Sequence, residues 1–292
     1  MKLKNIFKFF KYFLENIIIY IFFFVGKIIG LSLARKLFVK IFIILGPFVK
    51  SKEIIKNNLR LINGNIENLK IIEKKMWENY GKTFIEYIYL KKLKEKKMNI
   101  QIKNQNILDN IKKNKKPVIF VSGHFGNFEM MSMELTKQNI NLATIYRPLN
   151  NYFLNFFMEY LRKKFICKNQ IKKGRSGIKE AIEYLNKNYS VALMIDQRVS
   201  EGKSLPFFQK EALTTTLPAQ LAIKYNCEII PIYLERKASD TFLIEIYEPI
   251  QTKGFENTDE DKSSITLKLN KILEEMVLRD PSQWILTHNR WK

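Results

Sequence analysis

The stretch from Pro117 to Glu129, PVIFVSGHFGNFE, decides the fold class. Its first seven residues form an apolar run bounded by Pro and Gly, which is typical of a strand that is buried on both faces of a sheet. The residues that follow, from about 127 to 138, predict a helix. A strand that passes directly into a helix is the unit from which parallel sheets are built, so this stretch indicates an α/β protein.

The same alternation continues along the chain after residue 50. Further strands are predicted at 141–146, 190–195, 228–234 and 241–247, and helices at 52–62, 67–93, 152–163, 177–188, 217–225 and 259–279, with a charged connector at 94–100. Strands that alternate with helices predict a mixed, largely parallel sheet flanked by helices. The sequence shows no internal repeat and no long linker after residue 50, so we expect one catalytic domain at 51–292.

The chain of 292 residues is strongly basic, with 50 Lys and Arg against 28 Asp and Glu, a net charge of +22. Hydrophobic residues make up 46% of it, which excludes a disordered chain. Such a charge points to an anionic partner, either nucleic acid, an anionic membrane leaflet, or an acidic protein or substrate. Part of the excess also fits biased codon usage, because Lys, Asn and Ile are all frequent. The two Cys and two His residues argue against a disulfide framework and a Cys-rich zinc site.

Residues 1–50 carry the features of a membrane-binding segment. Asn16 to Gly26 is free of charge, Leu37 to Val49 is a second apolar run, and basic residues flank both runs. No cleavage site of the signal-peptide type follows. Three interpretations remain open: a single span, an interfacial or re-entrant hairpin bent near residues 26–30, or a buried core hairpin. The first two predict that residues 1–50 are a membrane anchor that meets anionic headgroups.

His124 and Glu129 are the candidate catalytic pair. In open α/β sheets, sites are built where strands end, and His124 leaves the predicted strand just before Glu129 enters the first helical turn. A turn between them can fold Glu129 back onto the imidazole, where it would accept a hydrogen bond from Nδ1–H and leave Nε2 as a base. The helix N-terminus can stabilise an oxyanion. The alternative is a structural histidine and a helix-terminal charge.

GHFGNFE resembles the His-x4-acid block of the glycerolipid acyltransferase superfamily. Its Glu variant with a preceding Gly is similar to the late lipid A biosynthesis acyltransferases, which transfer lauroyl and myristoyl groups in bacterial inner membranes. Other blocks resemble that family in the same order: Lys56 to Leu59, Tyr146-Arg147-Pro148 with Asn150, Gly174-Arg175 before Asp196-Gln197, Pro206 to Phe208 with Ala212 to Thr216, Pro231, and Pro281 to Trp284 with His288 and Arg290. Gln209 and Arg198-Val199-Ser200 depart from it, because Gly is common in the family at both places.

The resemblance implies an O-acyltransferase with His124 as the base, oriented by Glu129. The donor would be an acyl thioester of acyl carrier protein or coenzyme A, and the acceptor a hydroxyl of a phosphorylated glycolipid, a lipid A precursor. Substrate-binding residues are expected at Arg147, Arg175, Asp196, Gln197 and Asn127. No metal, cofactor or covalent intermediate is implied. The enzyme would sit at the bacterial inner membrane, with its catalytic domain facing the cytoplasm.

Structural roles are the alternative for the predicted substrate-binding residues and for His288. Arg147 at a strand end can bind a phosphate or carboxylate with its planar guanidinium, or form a surface ion pair. Asp196 can cap a turn, and Arg175 can be a surface charge. His288 lies near Trp284 in sequence and is expected to be structural or interfacial rather than catalytic.

Other function classes account for fewer of these features. A serine hydrolase needs a G-x-S-x-G elbow, which the sequence lacks. A nucleic-acid-binding protein explains the charge but neither the apolar N-terminus nor the strand–GHFGNFE–helix unit, so no nucleic acid partner is expected. The remaining alternatives are an acyltransferase for another glycolipid or for glycerol phosphate, and a basic membrane-associated binding protein.

Overall fold

A seven-stranded sheet forms the centre of the protein, in a computed structural model that describes residues 3–63, 68–95 and 100–292. The strand order is β1-β9-β8-β2-β5-β3-β4. Neighbours pair in parallel except β8 and β9, which are antiparallel. The strands are β1 (Ile100–Lys103), β2 (Ile119–Ser122), β3 (Leu142–Tyr146), β4 (Asn169–Lys172), β5 (Ser190–Met194), β8 (Ile229–Arg236) and β9 (Phe242–Ile246). The predicted mixed, largely parallel sheet is confirmed.

Helices cover both faces of this sheet. They are α1 (Leu3–Val49), α2 (Lys52–Asn63), α3 (Leu69–Glu86), α4 (Leu90–Glu95), α5 (Gln105–Asn114), α6 (Glu129–Lys137), α7 (Tyr152–Leu161), α8 (Arg175–Asn186), α9 (Leu217–Tyr225) and α10 (Asp259–Arg279). A separate hairpin consists of β6 (Lys203–Phe207) and β7 (Lys210–Thr214). The predicted helix start at 67 and the predicted connector at 94–100 fall partly outside the described residues.

Strand β2 explains why the sequence stretch 117–123 is continuously apolar. Ile119 and Val121 pack into one hydrophobic cluster, whereas Phe120 between them packs into a second cluster on the opposite face. All three side chains are buried. A strand with helices on both sides has no polar face, so the apolar run is a direct consequence of its central position.

The N-terminal helix α1 is broken at Gly30, where φ is 79° and ψ is 159°. It packs along α3 at close range, since a Cβ atom added to Gly81 would clash with the carbonyl oxygen of Phe38. Phe23 and Ala34 are buried in the cluster that also holds Phe120 of the sheet. The rest of α1 is largely exposed and apolar, and its length and composition would allow it to cross a membrane. This exposure does not fit the buried core hairpin.

Candidate functional site

The register of two parallel strands brings His124 and Asp196 together. Ser122 at the end of β2 pairs with Met194 at the end of β5, so the residues two positions further along each strand leave the sheet side by side. His124 Nδ1 lies 2.7 Å from Asp196 Oδ1, and the backbone N–H of His124 donates to Oδ2 at 2.9 Å. The carboxylate therefore fixes both the ring and the main chain of the histidine.

Asp196 is fully buried, with 0% of its surface exposed. Trp284 Nε1–H donates a third hydrogen bond to its Oδ2 at 2.9 Å. Burial raises the pKa of Asp196, but the His124 imidazole and the hydrogen bonds from His124 and Trp284 outweigh burial and leave that pKa below its ordinary value. An ionised carboxylate has no proton to donate, so in the neutral imidazole Nδ1 carries the proton and Nε2 the lone pair.

The predicted hydrogen bond between Glu129 and His124 is wrong. Glu129 Oε1 instead accepts from the Tyr87 hydroxyl at 2.6 Å and from Arg162 Nε at 2.7 Å, and Arg162 Nη2 lies 2.7 Å from the same oxygen. The imidazole nitrogen that Glu129 was expected to occupy is taken by Asp196. The five-residue spacing did not determine which acid contacts the ring. Asp196, which contacts the ring, and Tyr87 and Arg162, which bind Glu129, all lie far from this turn in the sequence.

Glu129, Tyr87 and Arg162 form a compact buried cluster. Burial lowers the pKa of Arg162, but the charge of Glu129 outweighs it and raises that pKa further above neutrality. Burial and the Glu129 charge both raise the pKa of the Tyr87 hydroxyl. At neutral pH the cluster therefore holds a guanidinium and a neutral phenol beside the Glu129 carboxyl group. Arg162 begins a π-helical turn, Arg162–Ile166, directly after α7, and such turns are frequent at functional sites.

A cavity of about 520 Å³ lies beside the histidine and the acid. Four of the seven predicted site residues line it: His124, Glu129, Arg147 and Gln197. Its apolar lining includes Met131, Ile145, Ile166, Ala192, Leu193, Met194, Leu217 and Ile285. The cavity thus joins charged groups to a hydrophobic surface.

Three predicted substrate-binding residues do not line this cavity. Asp196 lies behind His124 and holds it. Asn127 is buried and donates through Nδ2 to Glu86 Oε2 at 2.7 Å, so its amide faces a buried acid. Arg175 is exposed at the first residue of α8. Direct substrate contacts of the buried Asp196 and Asn127 side chains are therefore corrected, whereas the substrate contact of the exposed Arg175 stays a prediction.

Besides Arg162, two further cations that sequence reasoning missed line the cavity. Lys50 and Lys173 line it together with Arg147, and none of the three forms an ion pair with an acid among the described residues. Burial and the neighbouring Arg147 charge lower the pKa of Lys173. Lys173 directly follows β4, and a prediction of that strand would have placed it at the same sheet edge as His124.

His288 is also part of the cavity wall, and its contacts fit the structural role predicted for it. Its Nε2 accepts the backbone N–H of Arg198 at 2.9 Å, and its carbonyl oxygen accepts from Asn58 Nδ2 at 2.8 Å. Burial lowers the pKa of His288 to about 4, so the ring is neutral at physiological pH. With its Nε2 engaged, this ring is not a competing base.

Comparison with known proteins connects this site to a family. The whole chain, residues 1–292, matches the sequence profile described as bacterial lipid A biosynthesis acyltransferase. A lipid A biosynthesis palmitoleoyltransferase from Escherichia coli (strain K12) is 26% identical over 191 residues, which cover 63% of this chain and 60% of that protein. A lipid A biosynthesis acyltransferase from Shigella flexneri matches equally well. The matched region spans about three fifths of the length of these relatives. Because the family profile matches every residue, this chain belongs to the bacterial lipid A biosynthesis acyltransferase family.

Proposed function

We propose that this chain transfers a fatty acyl group from an acyl thioester to a hydroxyl of a lipid A precursor. The observation that carries the proposal is the buried contact of Asp196 with His124 Nδ1, which leaves Nε2 as a base beside a cavity with a hydrophobic wall. Nε2 has no hydrogen-bond partner in the parts of the chain that the structure describes. Family membership favours this chemistry over a binding role.

In the first step, His124 Nε2 removes the proton from the acceptor hydroxyl. Such a hydroxyl is a weak nucleophile at neutral pH, so a positioned base is needed. As the oxygen bonds to the carbonyl carbon of the thioester, the imidazole becomes an imidazolium. The ionised Asp196 stabilises that positive charge through Nδ1.

In the second step, the tetrahedral intermediate collapses. Its oxyanion is stabilised by backbone N–H groups at the start of α6, around Phe128 and Glu129, where a helix carries partial positive charge. The carbon–sulfur bond then breaks, and the proton on Nε2 passes to the leaving thiolate. The products are an ester and a free thiol, and His124 returns to its starting protonation state.

We assign Glu129 a contact with the acceptor rather than the orientation of His124. Its Oε1 is occupied by Tyr87 and Arg162, while Oε2 forms no hydrogen bond within the described residues. That oxygen can accept a hydrogen bond from a sugar or hydroxyl group bound in the cavity. Tyr87 and Arg162 hold the carboxyl group in place for this purpose.

Three of the cations that line the cavity suit an anionic substrate. Lys50, Arg147 and Lys173 lack acidic partners within the described part of the chain, and the charge of Arg147 acts on Lys173, so this pair favours a bound phosphate. A phosphorylated glycolipid acceptor supplies such groups. The overall charge of +22 also suits docking of an acidic acyl carrier protein, with acyl-coenzyme A as the other donor.

We further propose that α1 and α7 hold the protein at an anionic membrane. The exposed apolar side chains of α1 continue into α7, where Phe9 meets Phe153 with ring centroids 5.5 Å apart and Tyr12 meets Tyr152 at 6.1 Å. Phe156 on α7 is 80% exposed. Aromatic and basic side chains around an apolar surface are typical of membrane interfaces. The proposed location is the bacterial inner membrane, with the catalytic domain on the cytoplasmic side.

Mass spectrometry of lipid A tests the function. Cells that lack this protein should lose one secondary acyl chain, and wild-type protein should restore it whereas the His124→Ala variant should not. An unchanged lipid A profile would overturn the proposal. If phospholipids or another glycolipid changed instead, the acceptor would be assigned to that class and the lipid A proposal would fail.

A further inference from the structure

We propose that Arg35 of the N-terminal helix is a positioning residue for the His124 loop and acts through Glu86. The apolar helix α1 would then support the site as well as bind the membrane. The inference rests on the proposed function for its kinetic test, but the contacts that suggest it do not depend on the reaction.

Glu86 at the end of α3 is the centre of a buried ionic network, with 0% of its surface exposed. Arg35 Nε donates to its Oε1 at 2.8 Å, and Arg35 Nη2 lies 2.6 Å from the same oxygen. Arg236 at the end of β8 donates to Oε1 at 2.6 Å and to Oε2 at 2.8 Å. The acid is thereby shared between the N-terminal helix and the central sheet.

The network reaches the His124 loop directly through Asn127. Its Nδ2 donates to Glu86 Oε2 at 2.7 Å. Asn127 lies three residues after His124 and two before Glu129, in the turn that connects β2 to α6. A shift of the Glu86 carboxylate would therefore move the turn that carries both proposed functional residues.

A second connection runs through Gly126. Arg236 holds Asn79 through Nε at 2.9 Å and Thr83 through Nη2 at 3.1 Å. Both of these α3 side chains donate to the carbonyl oxygen of Gly126, Asn79 at 3.3 Å and Thr83 at 3.2 Å. Gly126 has a φ of +51°, a conformation that glycine adopts readily.

The backbone N–H of Gly126 is also bound by a residue that contacts Arg236. Its N–H donates to the carbonyl oxygen of Gln283 at 2.9 Å. Gln283 in turn accepts the backbone N–H of Arg236 at 2.7 Å and donates to the carbonyl oxygen of Arg236 at 3.0 Å. The main chain of Arg236 therefore fixes the turn on one side through Gln283, and its side chain, which Glu86 holds, fixes it on the other through Asn79 and Thr83.

Removal of Arg35 leaves Glu86 with one guanidinium partner instead of two. The remaining acid nearby is Asp240, which lies 3.5 Å from Arg35 Nη1 and is also paired with Lys82 at 2.8 Å and Arg236 at 3.8 Å. Without Arg35, Lys82 and Arg236 are the cations that remain for the two acids, and only Arg236 contacts both of them. We expect Arg236 to move and the Gly126–Asn127 turn to lose its fixed position.

The test compares Arg35→Met with Lys36→Met in the full-length protein. Lys36 is the next residue on α1, is exposed and makes no ion pair among the described residues, so its change removes the same charge without touching the network. Arg35→Met should lower kcat about tenfold to a hundredfold with KM unchanged, because small displacements of catalytic groups cost that much. Lys36→Met should leave kcat unchanged.

Hydrogen–deuterium exchange supplies a readout that needs no substrate. In Arg35→Met, uptake should rise in the peptide covering 122–130 but not in β5, and Arg35→Lys should restore part of both the protection and the activity. The double variant with Glu86→Gln should be little worse than Glu86→Gln alone, because residues in one network are not additive.

Equal kcat in Arg35→Met and wild type would overturn the inference, and so would unchanged exchange at 122–130. Full additivity of the two substitutions would also overturn it, since Arg35 would then act independently of Glu86. An inactive wild-type protein would overturn the proposed function instead, and the exchange experiment would still decide the role of Arg35. If Arg35→Met fails to fold, the comparison of Arg35→Lys with Lys36→Met decides.

Discussion

Replacement of Asp196 by Asn turns one carboxylate oxygen into an NH2 group, and the structure indicates which oxygen that is. Oδ2 accepts two N–H groups, from the His124 backbone and from Trp284, so the amide oxygen of the new residue must take that position. The amide NH2 then takes the position of Oδ1 and faces His124 Nδ1. Since an NH2 group donates, Nδ1 must accept, and the ring proton moves to Nε2. The proposed base is then protonated in its neutral form.

The size of the loss follows from the alternative arrangement. To recover the productive tautomer, the amide must flip and set its NH2 group against both N–H donors. Each buried donor left without a partner costs about 1–3 kcal/mol. Two of them cost about 2–6 kcal/mol, which corresponds to a fall in kcat of about 30-fold to about 10⁴-fold.

The assay is release of free thiol from the acyl thioester, followed across pH for wild type and Asp196→Asn. The loss of kcat in Asp196→Asn should persist at high pH. In this variant the neutral ring carries its proton on Nε2, so a higher pH does not free Nε2 to act as the base. Asp109→Asn on the exposed face of α5 is the control and should behave as wild type. Near wild-type turnover in Asp196→Asn, or full recovery at high pH, would show that Asp196 does not set the tautomer of His124.

The other predictions concern the remaining charged residues of the site. Glu129→Gln removes the charge partner of Arg162 and should lower kcat at least tenfold while His124 keeps its tautomer, as ¹⁵N NMR of the ring would show. Arg147→Gln with Lys173→Gln should raise KM for the anionic substrate, and the difference from wild type should shrink at high salt because screening weakens the attraction. The pKa of His288 is lowered by burial from 6.5 to about 4, so the unfolded chain takes up a proton in that interval and the folded chain does not. Folding stability should therefore fall as pH decreases from 6.5 to 4, by about 1–2 kcal/mol after allowance for solvent screening. His288→Gln should remove that part of the acid sensitivity in thermal denaturation, and an unchanged pH dependence would contradict it.

The central strands could be predicted from the sequence because their burial leaves a direct mark. Strands β2, β5 and β8 are apolar on both faces, and the chain shows them as uninterrupted hydrophobic runs. The edge strands β1 and β4 could not be predicted in the same way. Each has four residues, and polar or partly exposed side chains interrupt its pattern. Lys173 was missed together with β4.

The pairing of site residues depends on information that the linear sequence does not contain. His124 and Asp196 were each identified as candidates, but they meet because β5 lies next to β2 in the sheet, although 72 positions separate the two residues. Glu129 was assigned to His124 because the two are close in sequence. Its real partners, Tyr87 and Arg162, lie 42 and 33 positions away, directly after α3 and α7, and only tertiary packing brings them to it.

The most direct measurement is a single-turnover reaction of the purified full-length protein with an acyl thioester and a phosphorylated lipid A precursor, analysed by mass spectrometry. Wild-type protein should add one acyl chain to the acceptor and release one thiol for each chain added. The His124→Ala variant should be slower by about 10²–10⁴-fold, the usual contribution of a general base. Acyl transfer by His124→Ala at the wild-type rate would contradict the account, as would thiol release by wild type without an acylated product.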